Sequence, residues 1–271
     1  MGGCGVTTVT GPPQSVLFAF GLRGTPVRLV GGQGTSWRVG DVVLKPLVDR
    51  VFQEWLGTEV ADIPQRGFRL PAVRQAVDGA WVVEGWGGYS AIDGSTDARA
   101  SADWPAVINA ARALHAATAA LARPAFLDVR SDPWAVADRD AWGEIPRKVL
   151  PELRGLLDRL QPALSPMGPA RLIHGDLTNN VLPAAGQPPG IIDFSPYWRP
   201  PSYAEGIVIA DALSWFGAPA TLLEEVDVPR AAVARGLLFR ILTSSRIHPE
   251  RSPRLIDDAQ RYGAALDALF L

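Results

Sequence analysis

Two short apolar segments of this chain each run into a carboxylate. Leu172-Ile173 leads into His174-Gly175-Asp176-Leu177-Thr178-Asn179-Asn180-Val181-Leu182, and Ile191-Ile192 leads into Asp193-Phe194. Each reads as a short strand presenting an acid at its mouth. Asp193 follows Asp176 by 17 residues. That span suits a tight hairpin, which would bring Asp176, Asn180 and Asp193 to one edge. Oxygen ligands of this kind suit Mg²⁺, which takes one or two carboxylates and completes its shell with substrate phosphates and water.

A second constellation lies earlier. Gly31-Gly32-Gln33-Gly34-Thr35-Ser36 precedes Val42-Val43-Leu44-Lys45. A glycine-rich turn lets backbone N–H groups approach phosphate oxygens with no Cβ in the way. No Gly-Lys-Ser/Thr follows, so this is not a Walker loop. Taken singly, His-Gly-Asp is an ordinary polar loop, the glycines an ordinary turn, and Lys45 a solvated strand lysine. Their order along one chain is what carries information. Only two of the 26 basic residues are lysines, Lys45 and Lys148. A lysine kept against such a bias toward arginine points to a need for a compact ammonium rather than a forked guanidinium.

Residues 172–182 and 191–194 resemble the aminoglycoside phosphotransferase family, a branch of the protein-kinase-like superfamily. The motif match spans about twenty-five residues, and the order of elements matches over most of the chain. The resemblance implies MgATP as phosphoryl donor and a hydroxylated small molecule as acceptor. It implies Asp176 as the base, His174 as the residue orienting the loop, and Asn180 and Asp193 as Mg²⁺ ligands. The family usually places its Asn five residues after the catalytic Asp, where this chain has Val181. Asn180 is therefore read as the ligand in a loop one residue shorter, with Asn179 as the alternative. By the same resemblance Gly31, Gly32, Gln33, Gly34, Thr35 and Ser36 cover the nucleotide phosphates, and Lys45 pairs with them. The helix partner of Lys45 would be Glu54, or else Glu59. Main-chain groups of Glu84, Gly85 and Trp86 would form a hinge that reads adenine.

The elements that must position these residues fall into two sets. Before residue 88, short apolar segments alternate with turns. They suggest strands at 26–30, 37–39, 42–47, 70–77 and 80–86, a first helix at 16–20, and a helix at 49–62. Gly40-Asp41 suits a type II′ turn and Asp78-Gly79 a hairpin turn. Afterwards helical spacing dominates, at 103–122, 146–160, 202–216, 219–225, 229–247 and 254–270, with a strand island at 171–194. The expected fold is α+β and two-lobed, kinase-like. A nucleotide-binding lobe at 1–87 with an antiparallel sheet precedes a helical lobe at 88–271, and the linker falls at 86–90.

Composition narrows the alternatives. The net charge is −2, with 26 Lys+Arg against 28 Asp+Glu, which argues against a nucleic-acid partner. One cysteine, Cys4, excludes a disulfide framework, and three dispersed histidines give no zinc spacing. His115 reads as a core residue. No apolar stretch reaches membrane-span length, and the N-terminus lacks a signal-peptide pattern, so the cytoplasm is the expected location. Between Glu205 and Leu271 stand nine acidic residues and seven arginines, not the acidic wall a polycation would want. The reading is therefore an ATP-dependent small-molecule phosphotransferase. The alternatives are a kinase-like nucleotide-binding regulator and, more weakly, a metal-dependent phosphoesterase.

Overall fold

The computed structural model describes residues 11–29, 34–94 and 103–270. The chain divides into two compact units. The first is Met1–Gln65, Arg69–Thr96 and Leu182–Ile192; the second is Arg66–Phe68, Asp97–Val181 and Asp193–Leu271.

In the first unit, α1 (Gln14–Ala19) is followed by β1 (Val27–Arg28), β2 (Trp37–Val39) and β3 (Val42–Lys45). Then come α2 (Arg50–Trp55), β4 (Val73–Arg74), β5 (Val82–Val83) and β6 (Trp86–Ser90). The sheet order is β1-β2-β3-β6-β4, with β5 also paired to β6. Gly40 supplies the positive φ of 60° in the β2–β3 turn, as a type II′ turn requires. Asp49 caps α2 by accepting from the Phe52 N–H at 2.8 Å. The helix continues as one wide turn over Leu56–Val60. Val16 and Leu17 of α1 bury against Val39, Val42, Leu44 and Trp86, which form this unit's core.

Three expectations change here. The 70–77 and 80–86 strands shrink to two residues each and do not pair with each other, because β6 accepts both. Residues 86–90 are a strand inside the sheet, bonded to β3, and not a linker. Glu84 and Gly85, at φ 50° and 79°, form the two-residue turn between β5 and β6.

The second unit begins with α3 (Trp104–Ala117), α4 (Pro133–Ala141) and α5 (Arg154–Leu160). Asp103 and Asp132 cap α3 and α4. The Asp132-Pro133 start was a legible signal for α4, which the periodicity reading passed over. Proline at 146 and 151 shortens the expected helix at 146–160 to α5, so Lys148 is not helical. Next along the chain come β7 (Arg171–His174), the hairpin of β8 (Val181–Ala184) and β9 (Gln187–Ile191), which falls mostly in the first unit, and β10 (Pro196–Arg199) of the second. The last helices are α6 (Pro201–Trp215), α7 (Leu222–Glu225), α8 (Arg230–Ile247) and α9 (Pro253–Phe270).

Residues 182–192, read from sequence as part of the helical region, group with the first unit. Arg69 ties them there. Its backbone N–H donates to the Pro189 carbonyl at 2.9 Å and its Nε to the Pro188 carbonyl at 2.8 Å. In the second unit α6 is buried nearly all round, from Tyr203 to Ser214. It crosses α8 at two glycines. A Cβ on Gly206 would meet the Ala232 carbonyl oxygen at 2.1 Å, and one on Gly236 would meet the Gly206 carbonyl oxygen at 2.6 Å. Only glycine at both positions lets the two backbones come this close.

Candidate active site

The second unit holds the carboxylate constellation. β7 pairs antiparallel with β10 in the register His174↔Pro196. Asp176 leaves the end of β7 and Asp193 approaches the start of β10, so the ladder itself sets both acids at one end. The Gly175 N–H donates to the Ser195 carbonyl at 2.9 Å and carries the ladder one step further. Glycine is needed at 175 because a Cβ there would meet the Tyr197 ring at 2.4 Å. The sequence-based hairpin thus resolves into two pairings. β8–β9 closes the intervening segment, and β7–β10 juxtaposes the acids.

His174 is fully buried. Its Nδ1 accepts from the Asp176 N–H at 3.1 Å and from the Ser195 N–H at 3.4 Å. One imidazole therefore holds both sides of the loop. Its backbone N–H donates to His115 Nε2 at 3.0 Å. Burial pulls the His115 imidazole down to about 3, with His174 pushing the same way, so it stays neutral and keeps an acceptor nitrogen. His174 is shut away from solvent and its ring accepts from backbone N–H groups of the loop, which fits the orienting role the resemblance implies.

Asn180 folds back on Asp176. Its Nδ2 donates to the Asp176 carbonyl at 2.7 Å and lies 3.4 Å from Asp176 Oδ2. Asn179 is exposed and takes the left-handed conformation at φ 63°, which asparagine tolerates. The shorter loop thus still returns one amide to the Asp, and it is the amide of Asn180. With Nδ2 committed, Oδ1 is the atom Asn180 can offer a cation. Asp193 also has positive φ, 53°. A non-glycine residue held there costs about 1–3 kcal/mol and persists only where the surroundings over-determine it. Among the described residues no group of three or more His, Cys, Asp or Glu is placed to hold a metal. One amide and one carboxylate still fit Mg²⁺ that shares its shell with phosphates.

Two residues that the sequence reading did not single out complete the cluster. Arg240 of α8 grips Asp211 of α6 through Nε at 2.7 Å and Nη2 at 2.6 Å. The same Nη2 reaches Asp176 Oδ1 at 3.2 Å. Thr178 Oγ1 donates to Asp211 Oδ2 at 2.7 Å. Burial pulls the Arg240 guanidinium down, but the Asp211 and Asp176 carboxylates outweigh it and the net shift is upward. Nothing local in the sequence marks these two residues.

In the first unit Lys45 ends β3, opposite Gly87 of β6. Its Nζ lies 5.4 Å from the Tyr89 ring centroid. Burial lowers the Lys45 ammonium to about 8. The side chain that α2 buries toward the sheet is Gln53. Its Oε1 accepts from the Tyr89 hydroxyl at 2.5 Å and its Nε2 donates to the Gly88 carbonyl at 3.3 Å. The expectation that Glu54 turns inward is corrected: Glu54 and Glu59 are exposed. Helical residues advance about 100° each, so one step along α2 moves the buried position to Gln53. The hinge expectation is corrected too. Glu84 is exposed on the hairpin turn, Gly85 completes that turn, and Trp86 lies in the core. The chain leaves the sheet only after Ser90. There Ile92 packs on Gly190, where a Cβ would meet its Cδ1 at 2.5 Å. Of the glycine-rich loop, Gly31, Gly32 and Gln33 lie outside the described residues. Gly34 has φ 64° and its carbonyl accepts from Arg28 Nε at 2.6 Å. Ser36 closes the turn, its carbonyl accepting from the Leu29 N–H at 2.9 Å, with Thr35 between them.

A family model described as the phosphotransferase enzyme family matches residues 65–197, from before β4 through the Asp176 loop and Asp193 into β10. That match covers 133 of the chain's 271 residues. The fold of this chain is similar to that of a microcompartment-associated aminopropanol kinase, at TM-score 0.59 and 16% identity over 94% of each chain. It is also similar to a thermostable mutant of aminoglycoside phosphotransferase APH(4)-Ia in ternary complex with AMP-PNP and hygromycin B. That match has TM-score 0.58 and 17% identity over 94% of this chain and 97% of that one. Spectinomycin phosphotransferase, in complex with ADP and spectinomycin, matches at TM-score 0.56 and 13% identity, over 94% and 95%. At these identities the likeness is one of fold, α+β and kinase-like. No curated protein matches the sequence. Among the described residues no helix is long and apolar enough to cross a membrane.

Proposed function

We propose that this chain moves the γ-phosphoryl group of MgATP to a hydroxyl of a small molecule. The observation that carries the reading is the β7–β10 register, which sets Asp176 and Asp193 at one end of a ladder with Asn180 tied back to Asp176. The acceptor hydroxyl gives its proton to the Asp176 carboxylate. Its oxygen then bonds the γ-phosphorus as the bond to the β–γ bridging oxygen breaks. Asn180 Oδ1 and Asp193 are the residues that would hold Mg²⁺, which supplies charge neutralisation on the phosphates when bound. Lys45 offers an ammonium to the phosphates, beside the glycine-rich turn that ends at Gly34-Thr35-Ser36. Main-chain groups of residues 91–94, where the chain leaves the first sheet, take the adenine-reading role. Catalysis of this kind is chiefly positioning and electrostatics.

Hydroxylated small molecules should be screened with MgATP, with products read by the mass gain of a phosphoryl group. Asp176→Ala is expected to lose turnover while still binding ATP. Full turnover in that variant removes Asp176 from the reaction. ATP binding with no product across a broad acceptor set moves the chain to the class of nucleotide-binding regulators.

A further inference from the structure

Arg240 stands 64 residues from Asp176 in sequence yet shares one nitrogen with it. Its environment is unusual for a cation facing a base. Asp211, whose side chain is 4% exposed, takes both Nε and Nη2 in a bidentate grip, and Arg240 itself is 14% exposed. Asp176 is 49% exposed. A planar fork with one edge locked by a buried carboxylate has little freedom left. Its remaining contact direction, toward Asp176 Oδ1, is therefore fixed in advance. The lock is reinforced from three sides. Thr178 donates to Asp211, the Arg240 carbonyl accepts from the Tyr262 hydroxyl at 3.2 Å, and the Gly206–Gly236 crossing sets the spacing of α6 and α8.

On this geometry we propose that Arg240 is a positioning residue: anchored by Asp211, it holds Asp176 by Oδ1 and leaves Oδ2 to face the acceptor hydroxyl. The proposal rests on the phosphotransferase reading of Asp176. A carboxylate with one oxygen pinned cannot rotate away between turnovers, and a base held in one orientation needs no reorganisation when the acceptor arrives. Asn180 adds only a distant amide at 3.4 Å to the other oxygen, so the orientation is set from the Arg240 side.

Arg240→Lys is the informative substitution, because an ammonium can still neutralise buried Asp211 but cannot span two carboxylates. Arg240→Met leaves Asp211 buried and uncompensated, and its melting temperature serves as the folding control. For Arg240→Lys the expected result is a fall in kcat of roughly 10²-fold, the scale of a misplaced reacting group. KM for acceptor and for MgATP should stay within about twofold, and melting should stay close to wild type. In an Asp176→Asn background the same substitution should change residual turnover little, since the group it positions is already gone. In a crystal structure of Arg240→Lys, Asp176 should leave its wild-type rotamer while Asp211 keeps its own. An unmoved Asp176 rotamer, unchanged kcat, or an equal loss in both backgrounds overturns the proposal. Asp176→Asn that retains full turnover instead overturns the base assignment, and the rotamer measurement still decides what Arg240 does.

Discussion

The two units shift their buried cations in opposite directions. In the second, every charged group of the Asp176 cluster has a named counter-ion or dipole. Asp176 meets Arg240, Arg240 meets Asp211, and Asp211 meets Thr178. In the first, Lys45 sits over the Tyr89 ring, and burial lowers its ammonium to about 8. The Asp211 and Asp176 carboxylates raise the Arg240 guanidinium, which therefore stays charged. A desolvated amine near neutrality responds to pH directly. The pH response of ATP binding and the largest loss of turnover should therefore lie in different units.

The largest expected effect is at the networked end. Asp176→Ala should reduce kcat by about 10³-fold or more, within the range for losing a positioned base. ATP affinity by calorimetry should hold, because Lys45, the proposed phosphate partner, is untouched. Loss of both together would mean that the cluster also builds the nucleotide site.

Lys45→Met should come next, weakening ATP by roughly 10–100-fold, the worth of a charge-assisted hydrogen bond. The pH dependence has a definite sign. Lys45 is charged below about 8 and loses its proton above it, so wild-type ATP affinity should fall as pH rises through 8. The unfolded chain keeps that proton until about 10.5. Between those values the unfolded state binds more protons, and this group's contribution to stability rises with pH. Calorimetry at pH 8 in buffers of different ionisation enthalpy should show proton uptake on ATP binding. Equal enthalpies in all buffers would remove the contrast between the units.

Gly236→Ala tests how the network is spaced. A methyl forced against the Gly206 carbonyl should cost about 1–3 kcal/mol. At ~2–4 °C per kcal/mol for a unit of this size, that is a drop of several degrees in melting temperature. Turnover should suffer with it, because α6 and α8 carry Asp211 and Arg240.

Gln53→Ala against Glu54→Ala is a smaller and sharper comparison within the first unit. The former strips the Tyr89 hydroxyl and the Gly88 carbonyl of a partner, for about 1–3 kcal/mol. The latter, at an exposed position, should stay within about 0.5 kcal/mol. Equal melting temperatures would mean that α2 does not face the sheet through Gln53.

The smallest effect is at His115. Its folded value of about 3 lies below the ordinary 6.5, so the unfolded state binds more protons between those values. Stability should therefore fall as pH drops from 6.5 toward 3. His115→Gln, which keeps an acceptor for the His174 N–H, should flatten that limb of the acid unfolding curve.

Much of the architecture was legible because its signals are local. Apolar runs ending at Asp176 and Asp193, the Gly40 turn and the spacing of α3, α8 and α9 are all written within a few residues of where they act. What was misread depended on facing and pairing. The cut at residue 87 failed because nothing in Trp86–Ser90 says that three other strands bond to it. Glu54 and Glu59 are the acids α2 offers, yet a helix buries whichever face its neighbours cover, and here that is Gln53.

By itself the sequence determined the chemistry available: two acids, an adjacent amide, a glycine turn and a lysine, in an order that matches one family. Covalent order and short-range propensity carry that much. Tertiary structure alone decided which of Asn179 and Asn180 returns to Asp176. It also decided which α2 residue meets the sheet, and that Arg240 and Asp211 stand behind Asp176. Those choices follow from backbone approach at Gly206 and Gly236 and from long-range hydrogen bonds. Their energies exist only once segments distant in sequence have been packed together.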